Sequence, residues 1–194
     1  MHLNGSAHVT GVLKKCTNRL AFLWRSSSLL DFNCRKILCS ALVQPYMDYC
    51  MSSWYSGISA NLKNRLDALQ RKMVRFVYSY DFLKHVDNRD LISLEWLSVP
   101  DRVRFFKLAH LFKIRHGKAP PYLSNGLVSL LQTHSHFTRG SQSNYRVSHE
   151  LSLAPSSFVF TVIANWNGLP VYLKMIRSLS LFKKKVKEYF VSQY

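Results

Sequence analysis

Residues 46–49 read Tyr46-Met47-Asp48-Tyr49, one letter short of a Tyr-Met-Asp-Asp motif whose adjacent carboxylates would hold a pair of divalent cations. Two-metal chemistry needs carboxylates converging from separate elements on ions a few ångströms apart. Asp48 stands alone, behind Pro45 and at the end of a helical pattern rather than in the tight turn of a β-hairpin. The remaining acids, Asp31, Asp67, Asp81, Asp87, Asp90, Glu95, Asp101, Glu150 and Glu188, are scattered, and several sit at capping or surface positions. A two-metal active site is therefore excluded, and Asp48 is expected to make a local hydrogen bond or cap.

Other chemistries find no better support. With seven glycines in the chain, no G-x-G-x-x-G or Walker pattern forms a phosphate loop. No G-x-S-x-G elbow or Cys/His signature supplies a nucleophile. His134-x-His136 has two imidazoles but no neighbouring carboxylate or thiol, and its polar surroundings read as a loop. Cys16, Cys34, Cys39 and Cys50 form no C-x-x-C pair and no zinc spacing, so they read as small buried hydrophobes. No catalytic residue, metal ligand or cofactor is expected.

Charge points elsewhere. The 194 residues carry 27 Lys+Arg against 10 Asp+Glu, a net charge of +17. With 47% hydrophobic residues the chain has the means to bury a core, so this is a folded basic protein, not a disordered basic tail. A field of that sign draws polyanions, nucleic acid first, then an anionic membrane surface or an acidic protein. The N-terminus "MHLNGSAHVTG" lacks the basic and apolar regions of a secretory signal, and no apolar run approaches the ~20 residues of a membrane span. An intracellular protein, nuclear or cytoplasmic, is expected.

The elements that would position such charge are mainly helical. In 9–26, Val9, Leu13, Cys16, Leu20 and Leu23 recur at helical spacing. A second helix starts at the N-cap Asp31, with Cys34, Leu38, Leu42, Tyr46 and Cys50 spaced by four, and Pro45 should end or kink it. The clearest amphipathic helix covers 61–80, with Leu62, Leu66, Leu69, Met73 and Phe76 as its apolar stripe. A short helix follows within "DNRDLISLEWLSV". Pro100, behind Ser98, then opens a further helix that Gly117 closes. Residues 132–157 are polar and turn-rich, with alternating pieces suited to a hairpin. "FVFTVIANW" suits a buried element. The last helix sets Leu181, Phe182, Val186, Tyr189 and Phe190 on one face. The expected organisation is a helical region over 1–131 and a C-terminal region over 132–194 with hairpin and basic helix, possible as one continuous domain.

The stretch "ILCSALVQPYMDYCMSSWYSGISANLKNRLDALQRKMVRFV" resembles the segment after the catalytic palm in non-LTR (LINE, jockey-like) retrotransposon reverse transcriptases. The resemblance rests on Leu42, Pro45, Tyr49, Cys50, Trp54, Leu66, Leu69, Gln70 and Arg75. It continues, in order, through "LISLEWLSVPDRVRFFKLAHLFKIRHGKAPPYLS", "THSHFTRGS" and "NWNGLPVYLKMIRSLSLFKKKVKEYF", and so covers the chain from about residue 9 onward. It implies a bundle-like thumb region that holds RNA–DNA hybrid and template. The family's catalytic carboxylates lie upstream and none carries over, so a truncated or domesticated piece of an RNA-directed DNA polymerase is expected. The absent palm and fingers would be a second partner.

The residues themselves agree in kind. Lys and Arg on amphipathic helices grip phosphates without reading bases. The candidates are Lys63, Arg65, Arg71, Lys72 and Arg75 on the 61–80 helix. A second group is Arg102, Arg104, Lys107, Lys113, Arg115 and Lys118; a third is Lys183, Lys184, Lys185 and Lys187. Any one cluster alone reads more readily as a solvated face, whereas three clusters with few acids favour binding. Trp54, Trp96 and Trp166 could stack on bases, though their apolar settings fit a core. The rival expectation is an inactive structural or interaction remnant whose charge is inherited rather than used. A third is a last helix that lies on anionic membrane.

Overall fold

The computed structural model describes residues 5–124, 127–129, 144–147 and 157–194. Helices dominate, as the periodicity requires, and the described strands form one antiparallel pair. The chain divides into two compact units, Met1–Pro100 with Tyr194, and Asp101–Gln193. The division read from the sequence, between residues 131 and 132, lies outside the described residues.

In the first unit, α1 (Gly5–Arg25) packs along α5 (Ala60–Tyr78). Val9, Leu13, Cys16, Leu20 and Leu23 are all buried, as are Leu62, Leu66, Leu69, Met73 and Phe76, so both expected stripes are core. Fully burying side chains of this size is worth roughly 1.5–3 kcal/mol each, which is what holds two helices far apart in sequence together. Ser59 caps α5, its hydroxyl accepting the Leu62 N–H.

Between these helices, α2 (Phe32–Leu38) opens on Asp31, whose carboxylate accepts the Cys34 N–H at 2.7 Å. A wide π turn over Cys39–Val43 leads into α3 (Gln44–Asp48). Pro45 explains the turn. It has no N–H to donate, and its ring would crowd the carbonyl four residues back. In the wide turn the Gln44 N–H reaches the Cys39 carbonyl, five residues back, and the path bends without stopping at the proline. The buried row here is Cys39, Val43, Met47 and Met51, one position along from the expected Cys34, Leu38, Leu42, Tyr46 and Cys50. Two cysteines therefore depart from the buried reading: Cys34 and Cys50 are exposed. Burial pushes the Cys16 thiol up to about 11 and that of Cys39 to about 12, so both stay protonated and inert.

Cys50, in the left-handed region at φ 50°, turns the chain into α4 (Met51–Trp54). After α5, α6 (Asn88–Leu94) is fixed by a reciprocal capping box: Asp87 accepts the Asp90 N–H, and the Asp90 carboxylate accepts the Asp87 N–H at 3.0 Å. Gln70, buried on α5, donates to the Leu97 carbonyl at 2.7 Å and pins the segment that follows.

In α7 (Val99–Arg115), Pro100 lies in the first turn, where its missing N–H costs nothing. Gly117, at φ 64°, closes it, with Lys118 N–H donating to the Lys113 carbonyl at 2.8 Å. In the second unit, β1 (Leu127–Ser129) pairs antiparallel with β2 (Tyr145–Val147), Leu127 opposite Val147. Residues 132–143 and 148–156 of the expected hairpin, with His134 and His136, lie outside the described residues. Then come α8 (Phe158–Asn167), α9 (Val171–Lys174) and α10 (Leu179–Val191). Phe112, Trp166 and Phe182 form the aromatic centre, with ring centroids 4.5 and 5.8 Å from Phe182. On α10, Phe182, Val186 and Phe190 are buried, whereas Leu181 remains 47% exposed. The Asn167 amide bridges α8 to β2, accepting from Tyr145 N–H at 3.0 Å and donating to its carbonyl at 2.8 Å. Among the described residues no helix is long and apolar enough to cross a membrane.

Candidate nucleic-acid interface

On α5 the first group of cations separates onto two flanks of the buried stripe. Arg65, Lys72 and Arg75 face the groove between α1 and α5. Arg71 lies on the opposite flank, in a hollow it shares with Asp67 and Asp87. There burial raises the Asp67 pKa and the nearby Arg71 charge partly offsets it. Lys63 is half-buried, with its ammonium 5.3 Å from the centre of the Tyr55 ring.

The α1–α5 groove is a continuous basic feature of the first unit. One stretch of about 450 Å³ is lined by Leu13, Lys14, Thr17, Asn18, Arg65 and Lys72, with no acid. It adjoins a second stretch of about 540 Å³, which shares Thr17 and Lys72 and adds Trp24, Arg75, Asp81 and Phe82. Among the described residues, Lys14, Arg65 and Lys72 make no ion pair. Arg75 is held in place, its Nε donating to the Lys84 carbonyl at 3.1 Å and its guanidinium 6.0 Å from the Phe82 ring centre. Four cations against one carboxylate, on packed helices, line a trough of positive charge. From Lys14 to Trp24 the trough follows α1 for ten residues, roughly 15 Å at the helical rise.

Sequence reasoning missed Lys14, Trp24 and Phe82. Lys14 sits beside the apolar stripe of α1 as Arg65 does beside that of α5, which was visible; that the two flanks meet was not. Trp24 is 40% exposed with its edge against Phe76, and Phe82 is 76% exposed.

In the second unit the expected groups scatter. Lys107 is a correction: it is 2% exposed, and its Nζ donates to the Thr161 hydroxyl at 2.7 Å, so it is a core residue, not a phosphate contact. Arg104 pairs with Asp101 at 3.2 Å, and Lys185 with Glu188 at 2.7 Å, both at the surface where such pairs are worth little. Arg115 lies over Trp166 at 5.4 Å with its Nη1 buried, which holds it inside the fold. Arg102 is half-buried, and Lys113 and Lys187 are partly exposed; Lys118, Lys183 and Lys184 are exposed. Lys113 and Lys183 come together around His110 on α7, where burial first and then these two ammonium groups lower the imidazole pKa. A smaller basic patch therefore joins the second and third groups.

The remaining sequence candidates resolve simply. Tyr46-Met47-Asp48 ends α3 as helix, with Met47 buried and the Tyr46 hydroxyl accepting from Arg19. Trp96 and Trp166 are core; Trp54 is half-buried, its indole N–H donating to the Tyr49 carbonyl at 2.8 Å. Among the described residues no group of three His, Cys, Asp or Glu gathers as a metal site. Compared with known proteins, the chain matches no family model, no curated protein and no solved structure.

Proposed function

We propose that this chain is a non-catalytic nucleic-acid-binding piece of a LINE-type reverse transcriptase, gripping template or primer phosphates without base specificity. The observation that carries the binding is the α1–α5 trough, where Lys14, Arg65, Lys72 and Arg75 line one groove with Asp81 as its single carboxylate. Rows of Lys and Arg on rigid helices neutralise backbone charge and release counterions, which gives affinity with no sequence preference. The colinear resemblance supplies the rest: a thumb and post-palm region whose partner is RNA, DNA or their hybrid.

Titration of the purified protein with a fluorescent RNA–DNA hybrid at several salt concentrations tests this. With four phosphates neutralised in the trough, log Kobs should fall against log[salt] with a slope of about −3.6. Arg65→Ala and Lys72→Ala should each flatten that slope by about 1. Weak binding with no salt slope in the wild-type protein would overturn the reading.

A second reading has its own support. Leu29 and Leu83 are 87% exposed, and Phe22 and Ile37 64% exposed, all in the first unit. Exposed apolar side chains in that number suit contact with another polypeptide, and the palm and fingers are the chemically apt one. Concentration-dependent sedimentation of the chain alone, suppressed by a co-expressed palm segment, is the expected behaviour for that partner.

A further inference from the structure

The two stretches of the α1–α5 trough differ in kind. The first is cationic, with Lys14, Arg65 and Lys72 and no acid. The second has Trp24, Tyr80 and Phe82 in its walls beside Leu20 and Ala21, and its volume of about 540 Å³ falls in the range of small-molecule sites. Duplex backbone gripping has no use for an aromatic recess. We infer that the Trp24–Phe82 end of the trough takes an unpaired nucleobase, while Lys72 and the cations beyond it hold the phosphates of the same strand. This deepens the nucleic-acid reading and rests on it: it makes single-stranded nucleic acid, or an unpaired end, the substrate class of the first unit.

Charge and placement select this occupant. Lys72 lines both stretches, so one cation can serve the phosphate next to a base seated in the recess. Asp81, the recess's only carboxylate, repels a phosphate but can accept a hydrogen bond from a base amino group or a sugar hydroxyl. That ordering, phosphates toward Lys14 and base toward Asp81, matches the polarity of a nucleotide. An apolar peptide would match the walls and leave Lys72 and Arg75 without a counter-charge. Arg75, fixed by its bond to the Lys84 carbonyl, keeps its guanidinium by the Phe82 ring and adds a cationic plane for stacking. Phe82 is open to solvent at 76%, and Trp24, though braced by Phe76, still exposes 40%.

Intrinsic tryptophan fluorescence reads the event directly, because a stacked base quenches an indole. Three probes are used at one low salt concentration: an eight-residue oligothymidylate, an abasic strand of the same length, and a blunt RNA–DNA hybrid. Oligothymidylate should quench the wild-type protein and bind about tenfold more tightly than the abasic strand, as one good base–aromatic stack allows. Phe82→Ala, a surface change that spares the core, should erase that difference. Trp24→Phe should keep the affinity and lose most of the quench, since Trp96 and Trp166 are buried and Trp54, its indole N–H held by the Tyr49 carbonyl, does not line the recess. Equal affinity for oligothymidylate and the abasic strand, with the hybrid still bound, would overturn the base recess and leave phosphate gripping intact. No binding of any of the three would overturn both.

Discussion

His110 is the residue whose titration reports on the second unit. Burial and the ammonium groups of Lys113 and Lys183 lower its pKa from the ordinary 6.5. The folded imidazole thus holds a proton less readily than the unfolded one. Its stabilising contribution is complete above pH 6.5 and declines as the pH falls below that value toward the folded pKa, because the unfolded chain takes up the proton first. A polyanion seated on Lys113 and Lys183 reverses the local field and must raise the His110 pKa. An NMR titration, with the His110 signal assigned by its loss in His110→Gln, should show a value below 6.5 in the free protein and a higher one with bound hybrid. An unchanged value would remove these lysines from the interface. Lys107 provides the opposite control. Its ammonium is spent on Thr161 inside the fold, so Lys107→Met should leave the affinity within twofold and the salt slope unchanged, whereas Arg65→Ala lowers both. A Lys107→Met protein that folds normally and binds tenfold more weakly would contradict this placement.

The elements show how far local pattern reaches. α1 and α5 were legible because a 3.6-residue period fixes which face is buried, and Asp31 was legible because capping is local chemistry. Residues 34–51 offered two adjacent apolar rows at a spacing of four. A spacing longer than 3.6 keeps one face only if the helix widens, which the π turn before Pro45 does; packing on α1, a long-range event, chose the row through Val43 and Met47. The trough was illegible for the same reason: the sequence shows the flanks of each helix but not that Lys14 meets Arg65 across fifty residues. Lys107 shows the limit from the other side, since its charge gave no sign that Thr161 would receive it. Helix ends also hold recoverable strain. Ser79 ends α5 in the left-handed region at φ 54°, a conformation that costs a side chain roughly 1–2 kcal/mol and glycine almost nothing. Its side chain is exposed and makes no hydrogen bond to another described residue, so Ser79→Gly should stabilise the first unit by about 1 kcal/mol. Denaturant melts should show a higher midpoint with an unchanged m-value, and a lower midpoint would mean that the serine contributes a contact of its own.

At the scale of the whole molecule, a net charge of +17 on 194 residues is a standing cost to compactness that only counter-charge relieves. Salt relieves it by screening, with a Debye length of about 10 Å at 0.1 M. A bound polyanion relieves it by mass action, adding about 2.7 kcal/mol when the ligand stands at a hundred times its Kd. The two act in opposite senses on each other, because salt weakens the polyanion's grip. Thermal melts of the free protein should therefore rise from 20 to 300 mM NaCl. With saturating RNA–DNA hybrid the melt should lie several degrees higher at 20 mM, and that excess should shrink toward zero by 300 mM. If the basic surface does not bind, the hybrid shifts the melt no more than an equal ionic strength of simple salt. In that case screening also unmasks the exposed apolar side chains Leu29, Leu83, Phe22 and Ile37, and sedimentation at 300 mM shows larger species than at 20 mM. A polyanion-specific shift with a monomeric profile at both salt concentrations is the result expected of a basic surface that binds, because a polymer releases its condensed counterions on binding and simple salt has none to release.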